Sequence, residues 1–205
     1  MNFDFLRECR MESPKLQNIY EQMAGKLERA EECYWSDPRE CGILLRSVAE
    51  QICRIYNHFY EIGFSDEMML ETFLCYSRDE GHNVMVSRFL SVVRKEQRDR
   101  LNKLRVLGDD CICGEAAPDL GMSFENRMSN HANRMMQTMM DVLKDMCAKV
   151  NRRGDLEGLS FSEEMLPGAM AGMEKGAEKT VFKKPGALAH RKKRGLLAGI
   201  FGRRI

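Results

Sequence analysis

The sequence predicts an all-α protein: a single bundle of about five main helices with a disordered basic C-terminal tail. Three observations carry this. Apolar residues recur three and four positions apart through most of the first 150 residues, the spacing of one helical face. No run alternates apolar and polar residues over six positions or more, so strands have no support. From Asn151 onward the period fails: Gly and Ala mix with charge, and Pro167 and Pro185 interrupt. The expected organisation is a helical domain over 1–150 and a flexible tail over 151–205.

The elements follow in order. Ser13-Pro14 is a start signal, a hydroxyl to cap free amides and a proline whose fixed φ suits the first turn. Leu16, Ile19, Tyr20, Met23, Leu27 and Ala30 continue at helical spacing, to an end near Trp35. Asp37-Pro38-Arg39-Glu40 opens the second helix, with Asp37 as cap and Glu40 placed to reach back as in a capping box. Its stripe of Cys41, Leu44, Leu45, Val48, Ile52, Ile55, Tyr56 and Phe59 is the broadest of the chain and predicts a central helix, stopped at Gly63. Ser65-Asp66 opens a shorter helix with Met69, Leu70, Phe73 and Leu74 inward, broken at Gly81-His82-Asn83. Val86, Phe89, Leu90 and Val93 mark another. Leu101, Leu104 and Leu107 carry a helix that meets Gly108, and a loop from Gly114 to Gly121 follows. The last helix runs from about Ser123 to Val150, with Phe124, Met128, Ala132, Met135, Met139, Val142, Leu143, Met146 and Val150 on one side. Its seven methionines between 122 and 146 favour a soft core over an adaptable docking surface.

Length and composition set further bounds. A chain of 205 residues, 43% apolar, supports one sizeable core. The net charge of +1 conceals an asymmetry. Residues 1–150 hold 20 basic against 25 acidic side chains, a net −5, and residues 151–205 hold 12 against 6, a net +6. No stretch approaches the roughly 18 apolar residues of a spanning helix, and the opening residues lack the apolar core of a secretory signal. A cytoplasmic protein is expected, its eight cysteines free thiols.

Two blocks carry the chemistry. Trp35-Ser36-Asp37-Pro38-Arg39-Glu40-Cys41 is followed by Leu44-Leu45-Arg46 and Glu50. Leu104-Arg105-Val106-Leu107-Gly108-Asp109-Asp110-Cys111-Ile112-Cys113 is the second. With the opening Asn2-Phe3-Asp4-Phe5-Leu6, they resemble a bacterial HEPN-like helical domain of unknown function, found alone and N-terminal to the helicase part of type I restriction enzyme subunits. The resemblance covers about residues 2–150. It implies a helical fold and a link to nucleic-acid handling or phage defence. Several HEPN proteins are ribonucleases or toxins, with an arginine and a histidine acting on the RNA backbone.

This chain departs from that pattern at two places: Asp109 stands where the family has Asn, and Cys113 where it has His. Imidazole suits proton transfer near neutrality, whereas a thiol with an ordinary pKa near 8.5 is mostly protonated there. The resemblance therefore implies no catalytic residue here. The favoured function is a non-catalytic helical interaction module. The alternatives are an HEPN-like ribonuclease using Arg105 and a membrane-surface adaptor acting through the tail.

Arg46, Glu50, Arg105, Asp109 and Cys113 form the candidate polar cluster. Arg46 and Glu50 share a helix face, being four apart. The structural reading is a partly buried charge network in which Glu50 pairs with Arg105 or Arg46, since buried charges are tolerated only when paired. The functional reading is a phosphate or ligand site. Cys111-x-Cys113 is too tightly spaced for a common zinc knuckle, so no metal and no cofactor are expected; Cys9, His82 and Cys147 could join it only through the fold. The histidines His58, His82, His131 and His190 read as solvated or satisfied surface groups.

From Lys179 to Ile205 there are nine Lys and Arg and no acid. Arg191, Lys192, Lys193, Arg194, Arg203 and Arg204 are the candidate polyanion-binding residues, flanking the apolar Leu196, Leu197, Ile200 and Phe201. Such a run suits nucleic acid or an anionic membrane. The passive reading is a solubilising extension. The open partner classes are an unidentified protein, a second copy of the chain, and those two polyanions.

Overall fold

The computed structural model describes residues 1–11, 13–67, 69–74, 83–113 and 122–169. The expected break at Gly81-His82, the loop 114–121 and the basic run from Lys179 lie outside the described residues. Among the described residues the fold is all-α, with no strand: α1 Pro14–Cys33, α2 Pro38–Phe59, α3 Leu70–Leu74, α4 Asn83–Val92, α5 Lys95–Cys113 and α6 Phe124–Val150. None of these helices is long and apolar enough to cross a membrane.

The breadth of the α2 stripe has its physical counterpart in the packing. α2 lies against α1, α5 and α6, and α5 also lies against α6. Leu45, Val48, Ile52, Leu104, Met135 and Leu143 are all fully buried in one continuous core. Six of the α6 methionines are buried there too; Met122, just before the helix, is exposed. Gln97 lies inside this core and donates to the Tyr56 hydroxyl at 3.1 Å and to the Val142 carbonyl at 2.9 Å, which ties α5 to both α2 and α6.

The helix ends show which local signals act. Pro14 and Pro38 take the first turns of α1 and α2, and Asp37 accepts from the Glu40 N–H at 3.0 Å. Ser123 caps α6 through the Asn126 N–H at 3.3 Å. Ser13 makes no side-chain cap bond, and the Glu40 carboxylate turns to Arg29 at 3.5 Å instead of reaching back. α2 stops at Phe59, before Gly63, because Glu61 takes the left-handed turn at φ 50°. Asn57 then holds the following turn, accepting from the Gly63 and Phe64 N–H groups at 3.1 and 2.9 Å.

Three expectations are corrected. Met69, Phe59 and Phe124 are exposed, each at or beyond a helix end. Gly108 does not end its helix: α5 runs through it to Cys113. The expected loss of structure from Asn151 does not apply to residues 151–169. That segment returns across the bundle, burying Leu156 and Leu166. Asn2 Oδ1 accepts from the Ser162 N–H at 2.8 Å, and Glu163 accepts from Tyr34 at 2.6 Å and Asn133 at 2.7 Å. Two isolated leucines and side-chain bonds hold it, and neither leaves a periodic mark in the sequence.

Candidate functional site

The polar cluster forms where α2 and α5 run closest. Two glycines permit the approach, one on each helix. A methyl group at Gly108 would overlap Cβ of Arg46 and lie 2.8 and 2.9 Å from its Cγ and Cδ. A methyl group at Gly42 would overlap the Cys111 sulfur. These contacts run in opposite order along the two helices, so α2 and α5 are antiparallel here.

Passing over Gly108, the Arg46 side chain is only 14% exposed. Its Nε donates to Asp109 Oδ1 at 2.6 Å, and a terminal nitrogen donates to Glu71 on α3. The other Asp109 oxygen accepts from Arg105 at 2.9 Å, one turn back on α5. Arg105 also donates to Asn102 at 3.1 Å. Burial works against the charge of Arg46, but the bond to Asp109 and the charges of Asp109, Glu71 and Glu50 outweigh it and hold the guanidinium more firmly protonated than usual. The network thus reads Glu71, Arg46, Asp109, Arg105, with charges alternating in sign.

Of the five cluster residues, the structure brings together Arg46, Arg105 and Asp109. Glu50 is corrected: its ion-pair partner is Arg54 on its own helix, at 2.6 Å, because Asp109 and Glu71 already occupy Arg46. Cys113 is exposed at the last position of α5, eight residues from Arg105 and so about 12 Å along the axis, and it takes no part in the network. Arg39, from the first turn of α2, donates to the Cys111 and Ile112 carbonyls at 2.8 and 3.0 Å, satisfying the last carbonyls of α5. The six tail residues Arg191, Lys192, Lys193, Arg194, Arg203 and Arg204 lie outside the described residues.

Sequence reasoning missed a second cluster. Asp110 points about 100° around α5 from Asp109, towards α6. Its Oδ2 lies 2.6 Å from His131 Nε2 and 3.6 Å from Arg127 Nε. The Arg127 guanidinium also sits 5.6 Å over the Phe124 ring. The Asp109-Asp110 doublet was the available signal, since adjacent acids on a helix serve different neighbours. An aspartate-bound imidazole is a familiar proton carrier, but Nδ1 of His131 is buried without a hydrogen-bond partner. With no exposed ring nitrogen on that side, the pair is built to join α5 to α6. His58 is likewise engaged, with Asp66 at 2.8 Å, while His82 and His190 are outside the described residues.

Lys26 donates to Ser47 Oγ at 2.7 Å across α1 and α2, and burial lowers its pKa. A lowered lysine beside a serine is the composition of an activated nucleophile. It does not line the cleft of about 340 Å³ that opens beside α1, which is bordered by the Asp4–Glu8 turn. Among the described residues no group of three or more His, Cys, Asp or Glu side chains converges as a metal site.

Comparison of the chain with protein-family models, with curated proteins and with solved structures found no match. Fold and site together define a class: an all-helical bundle whose central polar cluster is an internally paired charge network.

Proposed function

We propose that this chain is a non-catalytic interaction module of HEPN-like type, connected with nucleic-acid handling or phage defence, whose basic tail supplies polyanion affinity. One observation carries the non-catalytic part: both oxygens of Asp109 are taken, one by Arg46 and one by Arg105. The arginine that the HEPN pattern would aim at an RNA phosphate is neutralised by the residue that departs from that pattern. A phosphate approaching Arg105 would have to displace a carboxylate already in place. It would also meet repulsion from that carboxylate.

The tail part rests on charge density. Nine positive groups without an acid follow a body that carries −5 over residues 1–150. Binding through such a run releases counterions and weakens steeply with salt. The test is a titration of RNA, DNA and anionic vesicles against the full chain and a chain lacking 180–205, at several salt concentrations. Salt-sensitive binding that disappears with the tail supports the reading, and undiminished binding by the shortened chain overturns it. Replacing Leu196, Leu197, Ile200 and Phe201 with Ser separates the two polyanions: vesicle binding needs apolar insertion, whereas binding to a nucleic-acid backbone does not.

A further inference from the structure

We propose that the cleft beside α1 is a binding site for a small primary amine with a flat apolar body, its ammonium group held by the Glu31 carboxylate. The cleft measures about 340 Å³, within the range of small-molecule sites. Two elements form its walls. Glu21, Gly25, Glu28 and Glu31 lie three or four positions apart along one face of α1. Phe3, Leu6 and Arg7 face them from the N-terminal segment with its Asp4–Glu8 turn. The charge network of α2 and α5 contributes no residue to it.

Glu31 lines this cleft and is only 1% exposed. Its Oε1 accepts from the Asn2 N–H at 2.6 Å and from Asn2 Nδ2 at 3.2 Å. Asn2 is itself fixed by Ser162, donating Nδ2 to its carbonyl at 3.1 Å and accepting from its N–H at 2.8 Å. The carboxylate is thereby oriented, and among the described residues nothing donates to its Oε2 and no ion pair engages it. The cations around the cleft are engaged elsewhere. The Met1 ammonium binds Asp4 at 2.8 Å, Arg7 binds Glu28 at 2.9 Å, and Arg10 donates to the Arg7 and Cys9 carbonyls at 3.2 and 3.3 Å. At the rim, Glu21 accepts from the neutral Gln17 amide at 2.9 Å and adds further negative charge. A carboxylate taken out of water without a counter-charge destabilises a fold. A ligand ammonium supplies both that charge and the donor that Oε2 lacks.

Gly25 sets the shape of the ligand. Of the three α-helical glycines among the described residues, Gly42 and Gly108 are required by a neighbour, since a methyl group would overlap Cys111 or Arg46. At Gly25, in the interior of the 20-residue α1, a methyl group would meet nothing within 4 Å. Glycine weakens a helix interior relative to alanine, and here no contact within the fold offsets that loss. The bare backbone lets a flat group lie directly against α1, with Phe3, Leu6 and Tyr20 as its apolar surroundings. Glu31 is six residues further along the same helix, about 9 Å along the axis, which suits a short ammonium-bearing arm on a small ring.

The experiment titrates the full chain with benzylamine near neutral pH and follows backbone amide shifts by NMR, with benzyl alcohol and phenylacetate as neutral and anionic probes of similar shape. The expected result is saturable binding of the amine, with shifts centred on Asn2, Ala24, Gly25 and Glu28. Its affinity should exceed that of either other probe by about tenfold or more, the worth of one charge-assisted hydrogen bond. Glu31→Gln should remove about that factor for the amine and leave the alcohol unchanged. Gly25→Leu should abolish amine binding while its urea midpoint stays at or above wild type, because the new side chain enters open space and favours the helix. Equal binding of the three probes would overturn the proposal, as would shifts that do not saturate or that lie away from the cleft. Full amine affinity in the Glu31→Gln or Gly25→Leu chain would overturn it too. The wild-type titrations decide the matter whether or not either variant folds.

Discussion

The stem of Arg46 lies directly against the bare backbone of Gly108, and this contact sets how closely α2 and α5 approach. Alanine would gain about 1 kcal/mol of helix propensity at that position. It would also drive a methyl group into a side chain fixed at its far end by Asp109 and Glu71. Gly108→Ala should therefore be destabilising, by about 1–3 kcal/mol, since overpacking forces the backbone or the Arg46 rotamer to shift. Urea denaturation checks this. A variant at or above wild-type stability would mean the two helices separate at little cost.

Asp109 is the shared acceptor of two arginines, so its loss leaves Arg105 without a carboxylate and Arg46 with Glu71 alone. Asp109→Ala should cost about 1–3 kcal/mol, below the range for a fully buried pair because the network keeps some solvent contact. Arg105→Ala should cost less, because Asp109 retains Arg46. Paired denaturation curves for the two variants and their double mutant measure this. Additive losses would show that Arg105 and Asp109 are not coupled.

Leu45 and Ile52 project from the middle of α2 and are fully buried. Truncating either to Ala should destabilise by about 2–5 kcal/mol, from lost transfer free energy and the cavity left behind. A loss under about 1 kcal/mol in chemical denaturation would contradict a core centred on α2.

Glu31 gives a pH prediction. Its carboxyl is buried, which raises its pKa above the ordinary 4.5 even though it accepts from the Asn2 N–H at 2.6 Å and from Asn2 Nδ2 at 3.2 Å. A raised folded-state pKa means that the folded chain binds the proton more tightly than the unfolded chain. The associated stability is fully present below the unfolded value and is lost as pH rises through the folded one. Glu31→Gln keeps the acceptor oxygen for Asn2 and removes the charge. The variant should match or exceed wild type at pH 7, and wild type should gain on it as pH falls towards 4.5. Denaturation midpoints across that range test the sign.

The helical class, the central place of α2 and most buried positions were legible because each rests on a repeating pattern or a local cap. Asp37 and Pro38 announced α2, and its broad stripe announced burial on several sides. What stayed hidden depends on pairwise geometry. Gly108 reads as a helix stop in isolation, and only the position of Arg46 shows it to be a close approach. Glu50 was expected on Arg46 or Arg105, but Glu71 comes from a separate short helix, and no spacing rule connects 46 with 71. The Asp110–His131 pair joins residues 21 positions apart, beyond any local pattern. The return of residues 151–169 rests on Leu156, Leu166 and a few side-chain bonds, too sparse to produce a period.

The central claim is that Arg105 serves the internal charge network and not RNA chemistry. The most direct measurement incubates purified full-length protein and its Arg105→Ala variant with structured and single-stranded RNA, with circular dichroism confirming that both are folded. No site-specific cleavage by either protein is predicted, together with lower stability of the variant. Site-specific cleavage by the wild-type chain that vanishes in a folded Arg105→Ala variant would contradict the account.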